Sequence, residues 1–203
     1  MTDLDLARAL DEAWHSDRDH VERLILSAAV IATALAQAGM RATLVGGAAI
    51  EYHAPSAYST GDLDFVVEGR DRAAINDVLT GLGMRQHGRH WILHDLYVEV
   101  PGNYFSETAD VIKVGPLALS VIRKEYVLGD RIIGFRWWRY AGYALQAIDM
   151  LAALGSELDD PALRAHLRKE GAEDTYDLLL RFMQSGEEAN TASLDALWAR
   201  HYR

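Results

Sequence analysis

Leu44-Val45-Gly46-Gly47, followed by Ser59-Thr60-Gly61-Asp62-Leu63-Asp64-Phe65-Val66-Val67, is the stretch whose reading decides the fold. The run Ala42-Thr43-Leu44-Val45 is short and apolar and stops at two glycines, the pattern of a strand that ends in a tight turn. Residues 48–53 suit one or two turns of helix, and residues 55–61 are rich in turn formers. Asp62 to Val67 reads as a second strand. Residues two apart on a strand share a face, so Asp62 and Asp64 point one way while Leu63 and Phe65 point into a core. Two carboxylates held side by side repel, and one tends to keep its proton. A divalent cation removes that penalty, and Mg²⁺ favours carboxylate oxygens combined with substrate phosphates.

A third carboxylate lies on the next alternating run. In Leu96-Tyr97-Val98-Glu99-Val100 the apolar residues at 96, 98 and 100 face a core, which turns Tyr97 and Glu99 to the other side. If this strand lies beside the Asp62 strand in suitable register, Glu99 joins Asp62 and Asp64. Asp95 is the rival third acid, of the same parity but nearer a turn. Three carboxylates can hold two metal ions, one activating an attacking hydroxyl and the other steadying a triphosphate and its leaving group. A strand that ends in Gly46-Gly47 and leads into a helix lets backbone N–H groups approach a phosphate closely, and Thr60 could add a hydroxyl. Together these parts describe a site for transferring a nucleotide or phosphoryl group.

Outward from this centre, helical spacing of apolar residues covers 4–14 and, more strongly, 20–39, with Gly39 as a stop. Residues 71–82 read as a helix with Asp71 near its start and Gly83 past its end. Residues 84–100 read as strands with a turn around Gly88, 101–106 as loop, and 111–135 as mixed strand and turn with Gly129-Asp130 as one turn. The texture then changes: 138–154, 161–169 and 172–183 have helical period, and 194–202 forms a weaker fourth helix. An α/β half followed by a helical half is expected, divided near residue 135.

The 203 residues are half hydrophobic and a quarter charged, with four prolines, which excludes a disordered or collagen-like chain. With no cysteine, disulfides and thiolate metal sites are excluded, and a reducing compartment is the natural home. The net charge of −10 repels phosphates at long range, so a nucleic-acid-binding face would have to be local. The acidic start lacks the basic lead of a signal peptide, and residues 24–40 are too short and too interrupted for a membrane span. The expectation is a cytoplasmic protein with no membrane contact.

With Gly46-Gly47, Thr60-Gly61-Asp62-Leu63-Asp64 and Glu99 in place, the chain resembles the nucleotidyltransferase superfamily typified by DNA polymerase beta, in particular its small bacterial abortive-infection and toxin–antitoxin members. The segment Glu173-Asp174-Thr175-Tyr176-Asp177-Leu178 is similar to a helical signature of their C-terminal domain. The resemblance implies an α+β fold, with a minimal nucleotidyltransferase core (a short mixed sheet flanked by helices) at 1–135 and a helical C-terminal domain at 136–203. It implies Mg²⁺, two ions, on Asp62, Asp64 and Glu99, and a nucleoside triphosphate cradled by Gly46, Gly47 and Thr60. The activity implied is transfer of a nucleoside monophosphate to a hydroxyl of tRNA, a protein or a small molecule, with pyrophosphate released. The alternative is a catalytically inactive protein of the same fold that binds a cognate protein partner, as in a toxin–antitoxin pair. Two departures from the resemblance stand out: Tyr58 occupies a position where such relatives place Arg, and Gln146-Ala147-Ile148-Asp149 lacks their Lys.

Three further clusters have structural and functional readings. His87, His90 and His94 invite zinc, but their strand parity differs, and a hairpin with exposed histidines is the expectation. Arg136-Trp137-Trp138-Arg139-Tyr140 could stack a base, but burial habits of Trp favour anchoring the first C-terminal helix. Asp174 and Asp177 lie one helical turn apart and read as a solvated face.

Overall fold

The computed structural model describes residues 5–55, 57–69 and 71–202. The chain divides into two compact units, one formed by the chain up to Pro55 together with Ser59–Arg123, the other chiefly by the chain from Lys124 onward.

In the first unit, α1 (Leu6–Trp14) and α2 (His20–Gln37) precede β1 (Arg41–Val45), α3 (Gly46–His53), β2 (Asp62–Glu68) and α4 (Arg72–Gly81). Then come β3 (Arg85–His87), β4 (His90–Leu93), β5 (Leu96–Gly102), β6 (Ala109–Val114) and β7 (Leu117–Ile122). Aspartates set three of this unit's helix starts. Asp5, Asp19 and Asp71 accept from the backbone N–H groups of Arg8, Glu22 and Ala74, satisfying donors that have no partner within the helix. Asp19 and Glu22 have the spacing of a capping box.

The strands form one mixed sheet in the order β3-β4-β5-β2-β1-β7-β6, with β2 at its centre. β2 runs antiparallel to β1 and parallel to β5. Leu44 on β1 lies opposite Phe65 on β2 and Val121 on β7, and Leu63 lies opposite Val98 on β5. All five are fully buried, so one face of the sheet is an apolar wall. The apolar side of α2 supplies Leu24, Ala28, Ala29, Ile31 and Leu35 to the same core. α2 is the one described helix long and apolar enough to cross a membrane by length and composition, and more than half of it is buried inside the fold. The opposite face of the sheet carries Thr43, Asp62, Asp64, Tyr97, Glu99 and Ser120, with Thr43 and Ser120 hydrogen-bonded at 3.2 Å.

The second unit is helical: α5 (Lys124–Trp138), α6 (Ala141–Leu154), a single 3-10 turn (Gly155–Glu157), α7 (Asp160–Lys169), α8 (Glu173–Ser185) and α9 (Thr191–Tyr202). Gly129-Asp130, expected as a turn, lies inside α5. Its glycines serve close packing instead. A Cβ on Gly129 would fall 2.4 Å from Cδ2 of His166 on α7, and one on Gly134 would fall 2.6 Å from Cδ2 of Tyr143 on α6. The core includes Leu128, Ile132 and Phe135 of α5, Ala144 and Met150 of α6, Leu163 and Leu167 of α7, and Leu179 of α8.

Arg164 ties this unit together. Its guanidinium donates to Asp160 and Asp177 at 2.9 Å each and lies over the Tyr176 ring. Arg168 donates twice to Glu173, at 2.9 and 2.7 Å. That pairing holds the Glu173 carboxyl below the usual carboxylate range. Asp177 is thus an ion-pair partner, and Asp174 lies 3.9 Å from Arg136. Trp137 and Trp138 sit at the end of α5 and are 56% and 69% exposed, contrary to the burial expected of them. Arg136 instead turns inward, its guanidinium over the Tyr202 ring.

Candidate active site

The chain brings three acids to one edge of the polar face. β2 starts at Asp62, β5 starts at Leu96, and β1 ends at Val45. The strand ends coincide because β2 and β5 are parallel, whereas β1 enters from the other direction. In register, Asp62 lies opposite Tyr97, and Asp64 lies between Val45 on β1 and Glu99 on β5. Asp62, Asp64 and Glu99 therefore share a face on adjacent strands, as their parity requires. The register shifts just after Asp64, so the pairing that aligns Asp64 with Glu99 is not continued along the strands.

Gly46 is the floor beneath Asp64. It opens α3 at φ +65°, and a Cβ placed on it would sit 2.1 Å from Asp64 Oδ2 and 2.9 Å from Asp64 Cγ. Only glycine supplies both that backbone conformation and that clearance. Gly47, the next residue of α3, is buried. The first amides of a helix lack acceptors within it and favour negative charge nearby, so the start of α3 adjoins the acids with donors suited to a phosphate.

Thr60 acts one step back from where a phosphate contact would place it. Its hydroxyl oxygen accepts from the Asp62 N–H at 3.1 Å, fixing the entry of β2. Its own N–H donates to Glu51 Oε2 at 3.0 Å, and its carbonyl lies 2.8 Å from His20 Nε2. Glu51, on α3, is only 3% exposed. A carboxylate on α3 and an imidazole on α2 thus hold the turn that presents Asp62. Sequence reading did not single out Glu51 or His20. Their signal is long-range, 9 and 40 residues from Thr60, and no local pattern encodes it.

Glu99 has neighbours that sequence reading also missed. Its Oε2 lies 3.3 Å from Arg89 Nε and 3.3 Å from His90 Nε2, and its side chain is 20% exposed. His90 reaches it because β4 pairs antiparallel with β5 with His90 opposite Glu99. Asp95 is not part of this group. It lies in the β4–β5 turn and accepts from the indole N–H of Trp14, which lowers its carboxyl pKa. Asp62, Asp64 and Glu99 lie on one sheet face, with a glycine clearing space under Asp64, and offer oxygen ligands of the kind Mg²⁺ takes.

No family model and no curated protein matches the chain. Among the solved structures similar to it are two with a TM-score of 0.49 each. One is the antibiotic-resistance factor ANT(2'')-Ia, 15% identical, with 77% of this chain and 95% of that one covered. The other is an antigenic nucleotidyltransferase-like protein from Paracoccidioides brasiliensis, 16% identical, with 71% of this chain and 92% of that one covered.

Proposed function

We propose that the chain is a Mg²⁺-dependent nucleotidyltransferase that moves a nucleoside monophosphate from a triphosphate to a hydroxyl acceptor. The observation that carries this reading is the register of Asp64 against Glu99, with Gly46 directly beneath the Asp64 carboxylate. Asp62, Asp64 and Glu99 would hold the metal. Bound there, Mg²⁺ would offset the mutual repulsion of the acids, favour the alkoxide of an acceptor and neutralise triphosphate charge.

The chain's own groups divide the remaining work. The backbone amides at Gly46 and Gly47 donate to the outer phosphate oxygens, where the start of α3 favours anionic groups. Glu99 exchanges its pairing with Arg89 and His90 for the site and takes up the acceptor's proton. The acceptor oxygen bonds to the α-phosphorus, the bond from that phosphorus to the bridging oxygen breaks, and pyrophosphate leaves with the electron pair. Thr60, Glu51 and His20 keep the Asp62 turn in place rather than touching substrate. The acceptor class stays open among tRNA, protein and small molecules, and the acidic charge of the chain favours those with a small phosphate footprint.

A second reading is a binding protein of the same architecture, and the ion pairs of Glu99 favour it. An acid already held by Arg89 and His90 is committed to the fold. Thermal unfolding with Mg²⁺ and each nucleoside triphosphate separates the two readings. The enzyme reading expects a ligand-dependent rise in Tm that is lost in Asp62→Asn/Asp64→Asn. A wild type that shows no rise with any of the four triphosphates favours the binding protein.

A further inference from the structure

We propose that Asp11, His15 and His94 form a binding site for a borderline transition-metal dication of the Zn²⁺ kind, separate from the acids of β2 and β5. Asp11 lies on α1 and His15 caps its C-terminal end, four residues further on. His94 comes from the β4–β5 turn, 83 residues from Asp11 in sequence. Its Nε2 lies 2.8 Å from Asp11 Oδ1, and His15 Nδ1 lies 3.5 Å from the same oxygen and 2.9 Å from the Asp11 carbonyl oxygen, a hydrogen bond it gives up on binding the ion. One ligand atom from each residue falls within 4.8 Å of the others. Bonds of about 2.0–2.1 Å in a tetrahedral site set donor atoms roughly 3.3 Å apart, so modest rotations complete the geometry.

His94 is the first residue of the two-residue turn between Leu93 and Leu96, whose tight geometry accounts for its φ of +54°. One observation marks the juxtaposition as built. The residues next to His15 and His94 are themselves joined, since the Trp14 indole N–H donates to Asp95. The contact between α1 and the turn is therefore fixed apart from any ion. The two imidazole rings meet edge to face, with centroids 4.5 Å apart. All three side chains are about half exposed, which leaves water to fill the remaining coordination position.

The donor chemistry selects the ion. Two imidazole nitrogens and one carboxylate oxygen suit Zn²⁺, Ni²⁺ or Cu²⁺, whereas the all-oxygen set at Asp62, Asp64 and Glu99 suits Mg²⁺. The site pins α1 to the β4–β5 hairpin. His87 and His90 are not part of it, in keeping with the parity that set a His87, His90 and His94 zinc triplet aside: His90 faces Glu99, and His94 lies against Asp11 of α1.

Titration calorimetry of the chelator-washed full chain with ZnCl₂, paired with thermal unfolding, tests the site. Wild type should take up a single equivalent and gain about 2–4 °C in Tm. His15→Ala and His94→Asn should each bind at least ~10-fold more weakly. Asn is chosen at 94 because it tolerates the left-handed backbone. Asp62→Asn/Asp64→Asn should bind Zn²⁺ as wild type does. The proposal is overturned if wild type shows no saturable uptake, if both histidine variants bind unchanged, or if binding disappears in the double aspartate variant.

Discussion

Replacing Gly46 by alanine tests the geometry on which the candidate active site stands. The added Cβ would fall 2.1 Å from Asp64 Oδ2 and 3.0 Å from Asp64 Cβ, so the carboxylate must retreat by more than about 1 Å to reach an ordinary 3.4 Å contact. The backbone adds its own cost, since φ +65° places an L side chain in the left-handed region, at about 1–2 kcal/mol. Crowding at a packed position adds about 1–3 kcal/mol. The expected loss of stability is therefore about 2–5 kcal/mol, read from the urea midpoint at constant slope. Displacing a reacting group by about 1 Å costs roughly 100-fold in rate, so transfer should fall by that order in the fraction that folds. Gly81→Ala in α4 is the matched control. A Cβ there meets nothing within 4 Å, and that variant should be as stable as wild type or slightly more so. Gly46→Ala with wild-type stability and activity would refute the claim that Gly46 and Asp64 are in forced contact.

Three other outcomes follow from particular contacts. Glu51→Ala strands the Thr60 N–H beside a buried void and should cost about 1–3 kcal/mol in urea unfolding, whereas Glu51→Gln keeps an acceptor and should cost less; equal losses would mean that the hydrogen bond is not what matters. Tyr176 is 4% exposed and donates to Asp160 at 2.9 Å, and burial pushes its phenol up to about 12 from an ordinary 10.0. Because the folded value is the raised one, this contribution is complete below pH 10 and lost as pH rises through 12. It amounts to roughly 2–3 kcal/mol, and the difference between wild type and Tyr176→Phe across that range should reveal it; parallel curves would contradict it. Arg89→Met releases one partner of Glu99. Because Arg89 is 72% exposed, stability should change by less than about 1 kcal/mol, while half-saturating Mg²⁺ in a transfer assay should fall by up to about fivefold. An unchanged Mg²⁺ requirement would remove Glu99 from the metal site.

What was legible in the sequence follows from the range over which each signal acts. Strand parity is local, so the shared face of Asp62 and Asp64 and the outward turn of Glu99 could be read directly, and the sheet register places Glu99 opposite Asp64. Helix starts marked by aspartate were legible for the same reason at Asp71. Strands were legible between residues 111 and 122, but residues 124–135 were misread because Gly129-Asp130 has turn composition, while Gly129 gives room for the His166 ring packed over it. That constraint comes from α7 and leaves no mark near residue 129. The exposed indoles of Trp137 and Trp138 run against the burial habit of their residue type, which describes an average rather than a position. The Glu51–Thr60–His20 cluster and the meeting of His94 with α1 join distant segments, and only the folded chain displays them.

The most direct measurement of the central claim is label transfer. Wild type and Asp62→Asn/Asp64→Asn are incubated with each α-labelled nucleoside triphosphate, Mg²⁺ and a whole-cell extract as the source of acceptor. The expected result is Mg²⁺-dependent labelling of an acceptor with release of pyrophosphate by wild type, and none by the double variant. Equal labelling by both proteins, or none by wild type with any of the four triphosphates, would contradict the account.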